Sequence, residues 1–164
     1  RGAWLRREGL MSVQLAIAAA YDLLKTVAGV GPNVYDQIRF ANDDAQFKAL
    51  FVDATTDPSA PVVNTWMVHR DATSARDKEM QAYGRIHQIV MTGYFAFKDG
   101  VSSVPWETTV EAICSAFGPY SARHFGGFDW SGPPQVEGNK LVFFGNVLCH
   151  TARIVHTFEE FPLN

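Results

Sequence analysis

Cysteine is scarce in this chain: Cys114 and Cys149 are the only two in 164 residues, too few for the disulfide lattice that staples small secreted folds. Both fall on segments that read as a helix and a strand of a core, which suits reduced thiols in a cytosolic setting. A surplus of one charge is also lacking. Fourteen Lys and Arg stand against seventeen Asp and Glu, a formal charge of -3, so nothing marks nucleic acid as the expected ligand. The chain has no run of the roughly eighteen apolar residues that a membrane helix needs. Its longest low-charge stretch, Met11 to Leu24, is interrupted by Gln14, Tyr21 and Asp22, and a soluble protein is expected. Internal repeats and low-complexity tracts are absent.

The short signatures of catalysis are missing as well. There is no Gly-x-Ser-x-Gly elbow, no His-Glu-x-x-His and no Gly-x-x-x-x-Gly-Lys phosphate loop. The glycine pairs Gly29/Gly31 and Gly126/Gly127 neither follow a strand nor open a long helix, so turn chemistry accounts for them. Cys149, His150 and His156 invite a metal reading, but strand side chains alternate faces, which sends Cys149 and His150 opposite ways. His150 and His156 share a face yet lie roughly 20 Å apart at about 3.3 Å per residue, far outside one zinc shell. The expectation is Cys149 in the core and both histidines on a partly covered sheet face with Ala152, Ile154 and Phe158. His69, His87 and His124 stand in no recognised spacing with carboxylates or hydroxyls, although a triad is spatial and sequence alone does not exclude one. The loop Phe125 to Trp130 holds three aromatics beside glycines, with only Arg123 near to meet a phosphate. A loop anchored on the core or docked on a partner fits it better than a base-stacking platform. No catalytic, cofactor-binding or metal-ligating residue is nominated.

What the chain does have is enough apolar content, 47% against 19% charged, for one globular domain with a real core. The first ten residues differ in kind: Arg1 to Leu10 carry three arginines and one glutamate, which leaves -5 on the remaining 154. Met11 resembles a natural start, and residues 1–10 read either as a leader from an upstream start codon or as an arm lying on a neighbouring subunit; residues 11–164 form the domain. Ser12 is placed to cap a helix with Val13, Ile17, Ala20, Tyr21, Leu24 and Val27 on one face, ending at Gly29. Breakers from Gly29 to Asn33 turn the chain before Val34-Tyr35. Asp43 to Val52 fits a short helix, and Thr55 to Pro61 a loop. Val62 to His69 reads as a strand, followed by a polar, solvated segment from Arg70 to Gln81. A helix is expected from Pro105 to Phe117, with Trp106, Val110, Ile113, Cys114 and Phe117 as its stripe and Gly118-Pro119 as its stop. Gln135 to Phe158 reads as two strands or one long bent strand, with Gly145-Asn146 as a turn or a bulge. Strands that do not alternate regularly with helices argue for α+β: a mainly antiparallel sheet, helices packed on one face, and a long β-hairpin.

The longest β-prone run, thirteen residues from Arg85 to Phe97, would span roughly 40 Å where ordinary strands have five or six residues. Surplus strand of that kind curls, projects as a hairpin arm or pairs with another chain. The charged tip before it, Arg76, Asp77, Lys78 and Glu79, together with Arg85 and His87, is therefore the candidate subunit or partner interface. Its competing reading is a solvated hairpin loop with a surface histidine.

The turn Val27 to Asp36, the strand Thr65 to His69, the long strand with Ile86 to Tyr94, the helix from Trp106 and the closing Val147 to Ile154 together resemble the tail-terminator (tail-completion) proteins of long-tailed bacteriophages and related tail-like particles. The likeness runs over roughly Ser12 to Phe158 and rests on element order and short patterns; residues 1–10 and the Phe125 to Trp130 loop have no counterpart in it. It implies an α+β structural subunit of the virion, assembled in the host cytoplasm and located at the head-proximal end of the tail. The subunit would close into a ring, expected to be a hexamer, that ends growth of the tail tube. Its implied partners are its own copies, the tail tube protein and a head-completion or connector protein, with DNA passing through the channel unbound and no membrane involved. The resemblance carries no catalytic residue, cofactor or metal. Another head-tail connector or minor tail protein is the neighbouring alternative. From a different class, a small α+β enzyme or ligand-binding domain using the Phe125 to Trp130 loop and a histidine is the other.

Overall fold

The computed structural model describes residues 5–55, 58–76, 84–118, 129–130 and 132–160. Among them the chain forms α1 (Leu5–Lys25), β1 (Asn33–Tyr35), α2 (Asp44–Phe51), β2 (Val52–Asp53), β3 (Val62–Arg76), β4 (Gly84–Ala96), α3 (Ser103–Phe117), β5 (Asp129–Trp130), β6 (Gln135–Phe144) and β7 (Val147–Glu160). This is an α+β fold built on one seven-stranded, mostly antiparallel sheet, ordered β1-β3-β4-β7-β5, with β2 also on β3 and β6 also on β7. Only β1 and β3 run parallel.

Period-two alternation gives the sheet two different faces. Trp66 and Val68 of β3, Ile89 and Met91 of β4, and Ala152, Ile154 and Phe158 of β7 are buried in one cluster with Ala16, Ala20 and Leu24 of α1 and Trp106, Val110, Ile113 and Phe117 of α3. The alanines let α1 lie close to the strands, while α3 brings the bulk; each large side chain so buried stabilises the fold by about 1.5–3 kcal/mol. The alternate strand residues, Val63, Met67 and Cys149, form a second cluster with Phe51 of α2, against which Phe47, Tyr94 and Phe144 pack. The short helix thus covers the opposite face at one end. Its start is set by Asp43, whose Oδ1 accepts from the Gln46 amide at 2.8 Å.

Glycine is needed at several positions, among them one in the central strand and one in the last turn. At Gly93 in mid-strand a Cβ would sit 2.6 Å from the Trp66 ring, so the indole lies directly over bare backbone. Gly145, at φ 61°, opens the two-residue turn between β6 and β7, where the left-handed region suits a tight hairpin.

Several boundaries depart from the sequence reading. The first helix does not start at Ser12: its backbone runs unbroken from Leu5, because leucine, arginine, glutamate and methionine are all good helix formers. It ends at Lys25, ahead of Gly29. The polar segment after His69 is strand as far as Arg76, because its backbone pairs with β4 from Arg70↔Ile89 to Arg76↔Gly84 around a bulge at Asp71. Asp129 and Trp130, expected in a loop, pair with Glu159 and Phe158; Phe125 to Phe128 lie outside the described residues.

The largest correction concerns the long strand itself. β4 pairs with β3 from Gly84 to Phe95 and with β7 from Arg85 to Ala96, so it is the central strand and has no edge to offer. Its length is absorbed by two partners of 15 and 14 residues.

Candidate assembly surface

Because β4 is enclosed, exposed strand edges occur only farther out. On one side β1 covers β3 at Thr65–Met67 and β2 covers it at Val62 and Val63; from Val68 onward no described strand lies on its outer side. Arg70, Asp71, Ala72, Thr73 and Ser74 there are all exposed. On the other side β6 pairs, among the described residues, with β7 alone, and its residues from Gln135 to Leu141 are exposed. Among the described residues, one sheet therefore presents unpaired backbone at both lateral margins, which is a template for pairing with another chain.

The β6 margin is held stiffly. A register shift between Glu137 and Lys140 leaves Asn139 in the bulge, where its Oδ1 accepts from Trp106 Nε1 at 2.9 Å and its Nδ2 donates to Glu107 Oε1 at 2.8 Å. Those bonds tie the edge strand to α3. Beyond the bulge the strand carries Leu141 and Phe143, 46% and 75% exposed, with none of the prolines or charges that usually blunt an edge between Leu141 and Phe144. Across the molecule, on the β1 side, the stretch after Tyr35 exposes Ile38 and Phe40 at 67% and 79%. Arg39 between them turns inward, its guanidinium 5.3 Å from the Tyr35 ring centroid and its amide donating to Met67 Sδ.

Of the residues nominated from sequence, Arg76 ends β3 opposite Gly84, and Arg85 is an exposed position paired with Ala75 and Glu160. Asp77, Lys78 and Glu79 lie outside the described residues. His87 is not at the surface. It is 1% exposed, its ring stacked on Phe158 at 4.8 Å and its Nδ1 3.1 Å from Thr73 Oγ1. The reason is parity: His87 shares a face with Ile89 and Met91, and that face carries the main core. His87 accordingly drops out of the interface.

Both cysteines are free; burial raises the Cys114 thiol and pushes Cys149 up to about 11, which disfavours thiolate. Among the described residues no group of three or more His, Cys, Asp or Glu is placed to hold a metal, and no helix is long and apolar enough to cross a membrane. One pair was invisible in sequence, being 48 residues apart: Ser102 Oγ lies 2.9 Å from His150 Nε2. The same Oγ donates to the Lys98 carbonyl and accepts from the Lys98 amide, and desolvation lowers the His150 pKa. Both residues are buried, and the pair holds the turn before α3 against β7. His150 and His156 do face the helices, as expected, with His156 lowered to about 4 by burial.

On the opposite face Arg153 bridges the sheet, reaching Asp71 at 2.5 Å and bonding Glu137 as well. Beside it lies a cavity of about 280 Å³ lined by Thr92, Tyr94, Lys140, Val142 and Thr151 among others. That is slightly below the usual range for small-molecule sites, and of its two cations, Arg153 and Lys140, the first is already engaged by two carboxylates.

No protein-family model matches the chain, and no curated protein matches it. Among solved structures that match, one aligns over 92% of this chain and 95% of its own length, at 18% identity and a TM-score of 0.44. A likeness of that degree supports no argument about function.

Proposed function

We propose that the chain is a structural subunit that associates head to tail into a ring, acting as the terminator that caps a phage-type tail tube. The observation that carries this reading is the pair of unpaired strand edges on opposite margins of one sheet. Two different edges on one molecule make a heterologous contact, and a heterologous contact closes into a ring when its rotation closes. A tube built from stacked rings stops growing when a ring binds its end without offering the same face again. Such a cap needs cyclic self-association plus two unlike faces. The sheet here has one face under α1 and α3 and another bearing α2 and the Arg153 bridge, so the two faces are unlike. The absence of a basic surplus is compatible with DNA passing without tight phosphate contacts.

In this reading the ring meets the tail tube protein on one face and a head-completion or connector protein on the other. The test is light scattering with negative-stain microscopy of the purified chain, followed by addition to growing tail tubes. Six-fold rings and capped, length-limited tubes are the expected result. A strict monomer that leaves tube length unchanged would sink the proposal, and stoichiometric binding of a small ligand by that monomer would favour the ligand-binding alternative.

A further inference from the structure

Strand register builds the cavity beside Arg153. Thr92, Arg153 and Glu137 form one cross-strand rung and Tyr94, Thr151 and Lys140 the next, so these side chains leave the sheet together on the face opposite α1 and α3. Val142, paired with Cys149, adds an apolar wall. The bulge in β6 keeps the concavity open: Gly138 lies in it at φ 67°, and a Cβ there would meet no atom within 4 Å.

Both sides of the cavity are fixed before anything binds. On one, Arg153 is held by Asp71 and Glu137. On the other, the Tyr94 ring is stacked at 4.1 Å on Phe144, which packs in turn on Phe47 and Phe51 at 5.3 and 4.9 Å. Pre-formed walls spare a ligand the cost of ordering them.

The polar groups between those walls are unused by the fold. Thr151 is only 8% exposed and lines the cavity, yet its hydroxyl has no hydrogen-bond partner among the described residues, an uncommon state for a buried polar group. Lys140, its cross-strand neighbour, has no carboxylate partner among them either, and the Thr92 hydroxyl is equally free. Burial raises the Tyr94 pKa, which keeps its hydroxyl a donor.

We infer that this cavity binds a small aromatic monocarboxylate, its carboxylate bridging the Lys140 ammonium and the Thr151 hydroxyl and its ring lying against Tyr94 and Val142. One negative charge matches the one lining cation left without a counter-ion among the described residues. A second, as in a phosphate monoester, would stand unpaired near Glu137 and Asp71. The apolar body is set by Tyr94, Val142 and the threonine methyls, and the volume of about 280 Å³ holds it below drug size. This site goes beyond the ring reading and does not depend on it.

Isothermal titration calorimetry of the full chain with sodium benzoate tests the site, and its heat reports binding whether the chain is monomer or ring. One site per chain with a Kd of about 1 mM or tighter is expected. Lys140→Gln, at an exposed position, should weaken binding about tenfold or more, and Thr151→Val about threefold or more. In urea Thr151→Val should unfold no earlier than wild type, because its hydroxyl has no partner to lose. Benzamide, which lacks the charge, and phenyl phosphate, which carries two, should each bind about tenfold more weakly than benzoate or worse. The assignment is overturned by any of four results: no saturable heat at ten times the expected Kd, benzoate binding that both variants leave unchanged, benzamide or phenyl phosphate binding as tightly as benzoate, or a destabilised Thr151→Val. None of them bears on the ring, which the assembly test decides separately.

Discussion

Replacing Gly93 with alanine offers a sharp test of how the main core is packed. The added methyl would lie 2.6 Å from Cε2, Cζ2 and Cη2 of Trp66, well inside van der Waals contact. The indole has little room to retreat: Trp66 is fully buried and stacked at 5.5 Å on Trp106, whose own Nε1 is bonded to Asn139. Overpacking of this kind costs about 1–3 kcal/mol. The reduced backbone entropy of alanine in the unfolded chain returns about 0.4–1 kcal/mol, so a net loss of roughly 1–2 kcal/mol is expected. For a chain of this size that corresponds to a fall in Tm of about 2–8 °C. Urea unfolding followed by tryptophan fluorescence measures it directly. Trp66→Phe should partly rescue the variant, because the smaller ring vacates the space the methyl needs, and the double-mutant cycle should show a coupling above about 0.5 kcal/mol. A Gly93→Ala protein as stable as wild type, or two substitutions that simply add, would refute the stacking of Trp66 over bare backbone.

His156 is held neutral by burial, with its pKa lowered to about 4, whereas the unfolded chain titrates near 6.5. The unfolded state therefore binds more protons between those values, so its contribution is fully present above about pH 6.5 and is lost as pH falls toward 4. The loss is roughly 3 kcal/mol over that window, and His156→Phe should flatten the slope in urea melts run from pH 7 to 4. Cys149, fully buried and raised to about 11, should resist iodoacetamide at pH 8 in the native protein and react only on unfolding, as read by intact mass. Charge reversal at Arg76 and Lys78, nominated from sequence, should weaken assembly several-fold while circular dichroism of the monomer is unchanged; normal assembly would remove them from the interface.

The apolar stripe of α3 illustrates what was legible locally. Trp106, Val110, Ile113 and Phe117 recur at helical spacing in the chain and are all buried on the sheet, because the period of an α-helix places them on one side whatever the helix then packs against. The alternation through β7 was readable for the same reason: Cys149 goes to one cluster, while Ala152, Ile154 and Phe158 go to the other. His87 shows where such reading stops. Its parity with Ile89 and Met91 was visible, but which face of that strand would be covered depended on α1 and α3 arriving from distant parts of the chain. The β6 edge was missed for a related reason. An apolar Leu141 to Phe144 reads as core until it is known that no strand lies beyond it.

Sequence alone settled the kind of most elements and the alternation of their side chains, since these follow from local backbone geometry with periods of 3.6 and 2. It also settled the absence of the short catalytic motifs. Neighbour order belonged to the tertiary structure. Strand pairing is a contact between residues far apart in the chain, and its register and position are decided by which set of partners best satisfies backbone hydrogen bonds and buries the most apolar surface. That competition placed the long strand Gly84–Ala96 at the centre, between β3 and β7. Among the described residues, it left β3 from Val68 onward and β6 as the open margins.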